Sequence, residues 1–249
     1  MSYILPDLNL LEVKSSVKDD AKTGIFTIEP LSPGYGVTVG NSLRRILLSS
    51  LEGSAARSVK IEGVEHEYSV LKGMKEDVVD LILNLKVARF KLNSDDPAKI
   101  ELSVKGPKVV TTADFKKSSE AEVVDKDHYL CTLEKGGKLD MTVEIDKGRG
   151  YVPVEKRSDE KSPIGTIIVD SIYTPVKKVK YTVENARVGG QTNYNRLVLE
   201  ISTDGSISAS AALSQAAKIL SEHLGVIIDA CEQAEMEKPK KVKKAKSKK

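Results

Sequence analysis

The spacing of hydrophobic positions along the chain changes several times, and each change predicts an element. Leu43, Ile46, Leu47 and Leu51 recur at helical intervals, so VTVGNSLRRILLSSLEG predicts an amphipathic helix that Asn41 or Ser42 caps and Gly53 stops. Upstream, LNLLEVKSSV and GIFTIEPL predict two short strands joined by the turn KDDAKTG. Downstream, RSVKIEGV predicts a strand, and KEDVVDLILNLKVARF a second helix with Val78, Val79, Ile82 and Leu85 at helical spacing. From Lys99 to Ile145, short β-like runs alternate with GP, DD and GG signals. GRGYVPVEKRSDEKSPIG, rich in Gly, Pro and charge, predicts an exposed loop. Strands resume in TIIVDSIYTPV, KKVKYTVENARV and NRLVLEISTDG.

The last run, SISASAALSQAAKILSEHLGVIIDACEQAEMEK, predicts a long helix that Ser206 or Ser208 caps. Leu213, Ala216, Ala217, Leu220, Leu224, Ile227, Ile228 and Cys231 form its stripe, and Ile219, His223 and Val226 widen it toward half the circumference. A surface helix of a monomer needs an apolar arc of roughly 100°. The excess width predicts packing against a second chain. Few helices, many strands and no regular βαβ rhythm predict an α+β fold.

Charge changes the picture at one end only. The formal net charge is +3, but EKPKKVKKAKSKK at the C-terminus carries +7, so the first 236 residues stand at −4. The basic character belongs to the tail and gives no basic nucleic-acid-binding face to the body. That tail can touch phosphate backbone weakly and without sequence preference, or serve only as a solubilising segment. Three Phe and no Trp argue against a base-stacking platform.

No apolar run reaches the roughly 20 residues of a membrane span, and MSYILPDLNLLEVK lacks the features of a signal peptide. A cytoplasmic protein is expected. Cys131 and Cys231 stand apart, and His66, His128 and His223 are scattered, so no metal site is expected. The strongest enzyme-like signal is SPGYGVTVGNS, where Gly34, Gly36 and Gly40 follow a strand and precede a helix. A dinucleotide site also needs a βαβ unit, which this sequence lacks. A nucleotide-binding enzyme built on these glycines remains the alternative reading.

One question is left by LRRILL. At 100° per residue Arg44, Arg45 and Leu48 fall on the side opposite the apolar stripe, where this helix has no need of a leucine.

Several motifs in order, VTVGNSLRRILLSSLEG, IEGVEHEYSVLKGMKEDVVDLILNLK, GRGYVPVEKR, SPIGTIIVDSIYTPVKKVKYTVENARVG and NRLVLEISTDGSI, resemble the N-terminal region of the bacterial RNA polymerase alpha subunit. The resemblance runs from Val13 to about Gln233. It implies a two-domain fold: a dimerisation domain from residues 1–51 and 175–235, and a strand-rich domain of residues 52–174 inserted in it; beyond them, the Lys-rich composition of 236–249 predicts a disordered tail. It implies a non-catalytic role in which a homodimer recruits the beta and beta-prime subunits, the catalytic magnesium being held by beta-prime and no cofactor by this chain. The matching positions assign Arg44, Arg45 and Leu48 to contact with beta, and Lys86 and Val169 to contact with beta-prime. Leu43, Ile46, Leu47, Leu213, Ala217, Leu220, Leu224, Ile227 and Ile228 are assigned to the dimer interface. Family members usually continue into a small C-terminal domain that binds promoter DNA, and that function is not expected of these 249 residues, whether the domain is naturally missing, truncated or supplied by a separate polypeptide.

Overall fold

A computed structural model describes residues 12–17, 21–157, 163, 165–188 and 191–236. The start of the first expected strand, part of the 148–165 loop and the Lys-rich tail from 237 lie outside the described residues. Among the described residues the chain is strand-rich with three α-helices, an α+β fold as expected.

Two hydrophobic clusters organise it. The first belongs to a four-stranded antiparallel sheet in the order β1 (Glu12–Val17), β2 (Thr23–Leu31), β14 (Gln191–Thr203), β13 (Val176–Val188). Helix α1 (Tyr35–Ser49) lies across β13 and β14, and helix α3 (Ala209–Met236) packs on α1, β14 and β2. Phe26, Leu43, Leu47, Leu51, Leu197, Leu199 and Ile201 fill the space between, together with Ala209, Ala212 and Ala216 from the first turns of α3. Ser208 caps α3 as expected, its Oγ accepting the Ala211 N–H at 3.2 Å.

The start of α1 differs from the expectation of a cap at Asn41 or Ser42. It begins six residues before Asn41, at Tyr35, with Gly34 in the left-handed region at φ +85°. The Asn195 side chain of β14 supplies the missing acceptor, taking the N–H groups of Gly34 at 2.8 Å and Gly36 at 3.4 Å. Gly36 and Gly40 are therefore helical and face the sheet. A Cβ on Gly40 would stand 2.8 Å from side-chain atoms of both Leu197 and Tyr181, and one on Gly36 2.7 Å from Val183. These glycines bring helix and sheet into close contact. Gly53, expected to stop the helix, lies inside β3 (Glu52–Ile61), where a Cβ would meet the Tyr173 carbonyl oxygen at 1.8 Å.

The second cluster fills the strand-rich middle of the chain. Its main sheet runs β5 (Ala98–Lys105), β9 (Lys138–Arg149), β3, β4 (Phe90–Leu92), β7 (Ala121–Val123), with β11 (Thr166–Ile168) also pairing β3. The period-two pattern puts Ala98, Ile100, Leu102 and Val104 on one face, opposite Ile145, Val143, Met141 and Leu139 of β9. Helix α2 (Val78–Val87) contributes Val78, Leu81 and Leu85 to the same core. Asn84 ties α2 to β8 (Tyr129–Leu133) by donating to the Leu130 carbonyl at 2.9 Å.

A buried polar joint lies between the clusters. Tyr173 donates its hydroxyl proton to Asp146 at 2.5 Å and accepts from Arg157, whose other terminal nitrogen donates to Ser171 at 2.9 Å. Burial and the Asp146 carboxylate both push the Tyr173 hydroxyl above its ordinary pKa. Arg89, just after α2, donates to the Ile172 carbonyl at 2.9 Å and pairs with Asp204, beyond β14, at 3.9 Å. Charge-assisted bonds of this kind hold geometry as well as energy.

Candidate functional site

Three surfaces carry the residues singled out from the sequence. On α1, Arg44 and Arg45 are exposed, and among the described residues neither forms an ion pair. Leu48, expected to stand clear of the core, is half-buried against the first cluster. It lies in the last turn, where the Thr174 hydroxyl, 126 positions away, donates to its carbonyl at 3.4 Å. The face is therefore two bare guanidinium groups beside a half-covered leucine.

Leu43 and Leu47 require a correction. Both are closed inside the chain's own core, at 4% and 0% exposure. They have no surface left to bury against a second copy. Ile46, half-buried at the margin of that core, retains some.

On α2, Lys86 is held by its own chain. Its ammonium donates to Asp170 at 2.7 Å and to the Tyr151 hydroxyl at 3.3 Å, and it stands 5.1 Å from the centre of the Tyr151 ring. The Asp170 carboxylate also accepts the Tyr151 hydroxyl and the Val154 N–H, each at 2.9 Å. Burial pushes the Asp170 carboxyl upward, but Lys86 and these two donors outweigh it and hold the group below the ordinary aspartate range. The Asp170 carboxylate in turn raises the Lys86 ammonium.

Val169, expected beside Lys86 at the surface, is 1% exposed and belongs to the second core cluster. Strand alternation accounts for this, because Val169 and Ile167 point inward while Ile168 and Asp170 face outward. Asp170 thus takes the surface position expected of its neighbour. Sequence reasoning also missed Tyr68, Val70, Leu83, Val87 and Tyr151, all large, apolar or aromatic, and 49 to 78% exposed. Leu83 and Val87, four apart on a helix, could have been found by projection. Tyr151 could not, since it reaches Lys86 only through the pairing of β10 (Tyr151–Val152) with β12 (Ser171–Ile172).

The third surface is α3, whose two halves differ. Ala209, Ala212 and Ala216 are buried, and Leu213, Ile219 and Leu220 are half-buried against the first cluster. Beyond them Leu224, Val226, Ile227 and Ile228 are 51 to 69% exposed. Ala217 is exposed as well, and His223 uses Nδ1 to bond the Ile219 carbonyl at 2.7 Å, within its own helix.

The glycine-rich turn offers no phosphate cradle. Gly36 and Gly40 are covered by β13 and β14, and the Gly34 and Gly36 N–H groups already have Asn195 as acceptor. Among the described residues no group of three or more His, Cys, Asp or Glu could hold a metal ion. Cys131 is buried and its thiol is pushed up to about 12 by burial, which leaves it unreactive at neutral pH. No helix among the described residues is long and apolar enough to cross a membrane.

Exposed aliphatic rows on two helices and unpaired arginines on a third define a protein whose surfaces are built for packing against other chains. Comparison with known proteins makes this specific. Residues 59–174 match the family described as the RNA polymerase Rpb3/RpoA insert domain. The chain is 48% identical over 217 residues to a DNA-directed RNA polymerase subunit alpha of Symbiobacterium thermophilum, covering 87% of this chain and 69% of that one. It is 50% identical over 209 residues to the corresponding subunit of Moorella thermoacetica, covering 84% and 67%. The chain belongs to the family of DNA-directed RNA polymerase alpha subunits.

Proposed function

We propose that this chain is a non-catalytic scaffold of a bacterial-type DNA-directed RNA polymerase: it homodimerises and then gathers the beta and beta-prime subunits in the cytoplasm. The observation that carries the reading is the uncovered half of α3, where four large aliphatic side chains stand exposed in succession on a helix whose first half is a core element. A helix of this kind is stable in water only when its apolar side is covered, and a second copy supplies an identical complementary helix. Leu213, Ala217, Leu220, Leu224, Ile227 and Ile228, with Ile46 at the margin of α1, form the proposed interface.

The two clusters support a division into two domains. One draws on Phe26 to Leu51 and Val176 to Ala216, the other on Ala56 to Val169, close to the 59–174 segment of the matched insert domain. On this reading residues 1–51 and 175–235 form the dimerisation domain, and residues 52–174 the inserted one. The exposed Arg44 and Arg45 beside Leu48 suit the beta subunit. The apolar face around Lys86 suits beta-prime. The catalytic magnesium is assigned to beta-prime and no cofactor to this chain. The Lys-rich tail adds only a weak electrostatic contact with DNA.

The test is the oligomeric state. Light scattering should give a dimer at micromolar concentration, and Leu224→Glu or Ile227→Glu should give monomer or aggregate by forcing an unpaired charge into the interface. A monomeric wild type overturns the reading.

A further inference from the structure

Away from the three surfaces, a cavity of about 440 Å³ lies between the two ends of the main sheet. Ile100 of β5 lines one side, Ala121 to Val123 of β7 line the other, and residues of the 112–118 segment complete the wall. That wall is tied down. Thr112 donates its N–H to the His128 carbonyl and Ala113 to the Lys126 carbonyl, each at 3.0 Å, and Lys116 donates its N–H to the Glu101 carbonyl at 2.8 Å. The cavity is thus formed in advance, and its size falls within the roughly 300–1,000 Å³ of small-molecule sites.

Its lining divides by chemistry. Ile100, Phe115 and Ala121 are at most 7% exposed and give an apolar floor. Three lysines, Lys116, Lys117 and Lys126, stand against one carboxylate, Glu122. Lys116 is paired with Glu101 at 2.8 Å, whereas Lys117 and Lys126 form no ion pair among the described residues. One positive charge is left in excess at the rim. Strand β7 adds donors. The bonds from the Asn93 N–H to the Glu120 carbonyl at 2.8 Å and from the Val124 N–H to the Arg89 carbonyl at 3.0 Å make Lys91 and Glu122 the hydrogen-bonded pair of its ladder with β4. The N–H groups of Ala121 and Val123 therefore turn to the outer edge of β7, where the sheet order ends and the cavity begins.

A dry cavity of about 150 Å³ takes one benzene-sized group, so this one has room for two rings and a polar head. We propose that it binds a small organic monoanion, whose one- or two-ring apolar body lies on the Phe115 floor and whose carboxylate meets Lys117, Lys126 and the outer N–H groups of β7. No subunit contact enters this reading, so its failure leaves the scaffold role standing.

The experiment is titration calorimetry of the full chain with naphthoate. One saturable site per chain is expected, weakening as salt is raised, and naphthamide, the same body without the charge, should bind several-fold more weakly. Lys117→Glu combined with Lys126→Glu, both on the surface, should weaken naphthoate about tenfold and leave the melting temperature unchanged. Ala113→Trp, which fills the mouth, should abolish binding; if that variant melts early, the lysine pair still decides. Absence of saturable binding at millimolar naphthoate overturns the proposal, as does binding that neither change alters. Equal affinity for naphthamide overturns the assignment of an anion.

Discussion

The outer faces of α1 and α2 look alike in sequence, each with a basic residue beside aliphatic ones, yet their charges are held differently. Arg45 stands exposed without an ion-pair partner among the described residues, so its planar fork of donors is free for another chain. Lys86 is bonded to a carboxylate and a phenol and sits near the Tyr151 ring. A surface charge can recognise a partner only if its own fold has not already satisfied it. The aliphatic surroundings differ in the opposite sense: within a turn of Arg45, α1 keeps a half-covered Leu48, its exposed Val37 lying two turns earlier, whereas α2 exposes Leu83 and Val87 within a turn of Lys86. The α1 face is suited to a charged anchor, the α2 face to an apolar one.

Three changes sharpen or break this contrast. The largest effect is expected from Arg45→Ala. Loss of a central Arg anchor costs about 2 kcal/mol or more, roughly thirty-fold in affinity, so pull-downs should show the dimer losing beta while its melting temperature stays put. An equal loss of beta in Lys86→Ala breaks the contrast, because the satisfied lysine would then act as the bare arginine does.

Gly40→Ala separates the two sides of α1. Its methyl group would meet Leu197 and Tyr181 at 2.8 Å, and overpacking of this kind costs about 1–3 kcal/mol. Thermal denaturation should show a fall of several degrees, with beta capture unchanged per folded dimer. A melting temperature equal to wild type would mean that helix and sheet yield freely, and the outer arginines would then have no rigid platform.

The smallest effect concerns the Lys86–Asp170 pair. The folded Asp170 carboxyl titrates below its ordinary value, so its contribution is complete above the unfolded pKa of about 3.9 and is lost as pH falls through the folded one. Lys86 is shifted upward, so its contribution is complete below about 10.4 and is lost as pH rises through its folded value. The pair is partly exposed, which keeps its worth to about 1 kcal/mol or less. Lys86→Ala should therefore lower stability modestly between about pH 4 and 10, and the gap to wild type should close in stronger acid. A gap that persists unchanged at low pH assigns the loss to packing of the lysine stem.

Legibility from sequence followed the range of the interactions involved. The α2 helix was readable because Val78, Ile82 and Leu85 repeat within a few residues of one another. The early start of α1 was not, because its cap comes from Asn195, 161 positions from Gly34. Val169 was misplaced because the segment IIVD alternates its sides, and a resemblance gives the neighbourhood of a contact more readily than the side chain that makes it.

By itself the sequence determined the α+β class, the three helices and the wide apolar arc of the last one, since periodicity depends only on an element's own geometry. Which parts of those apolar faces are covered was decided by tertiary structure alone. The four-stranded sheet and α1 cover the first turns of α3 and leave Leu224 to Ile228 uncovered, and the same sheet closes over Gly36 and Gly40. Periodicity states where a side chain points around its own axis. Burial also depends on what distant segments lie across that direction, and in this chain those segments are brought together from its opposite ends.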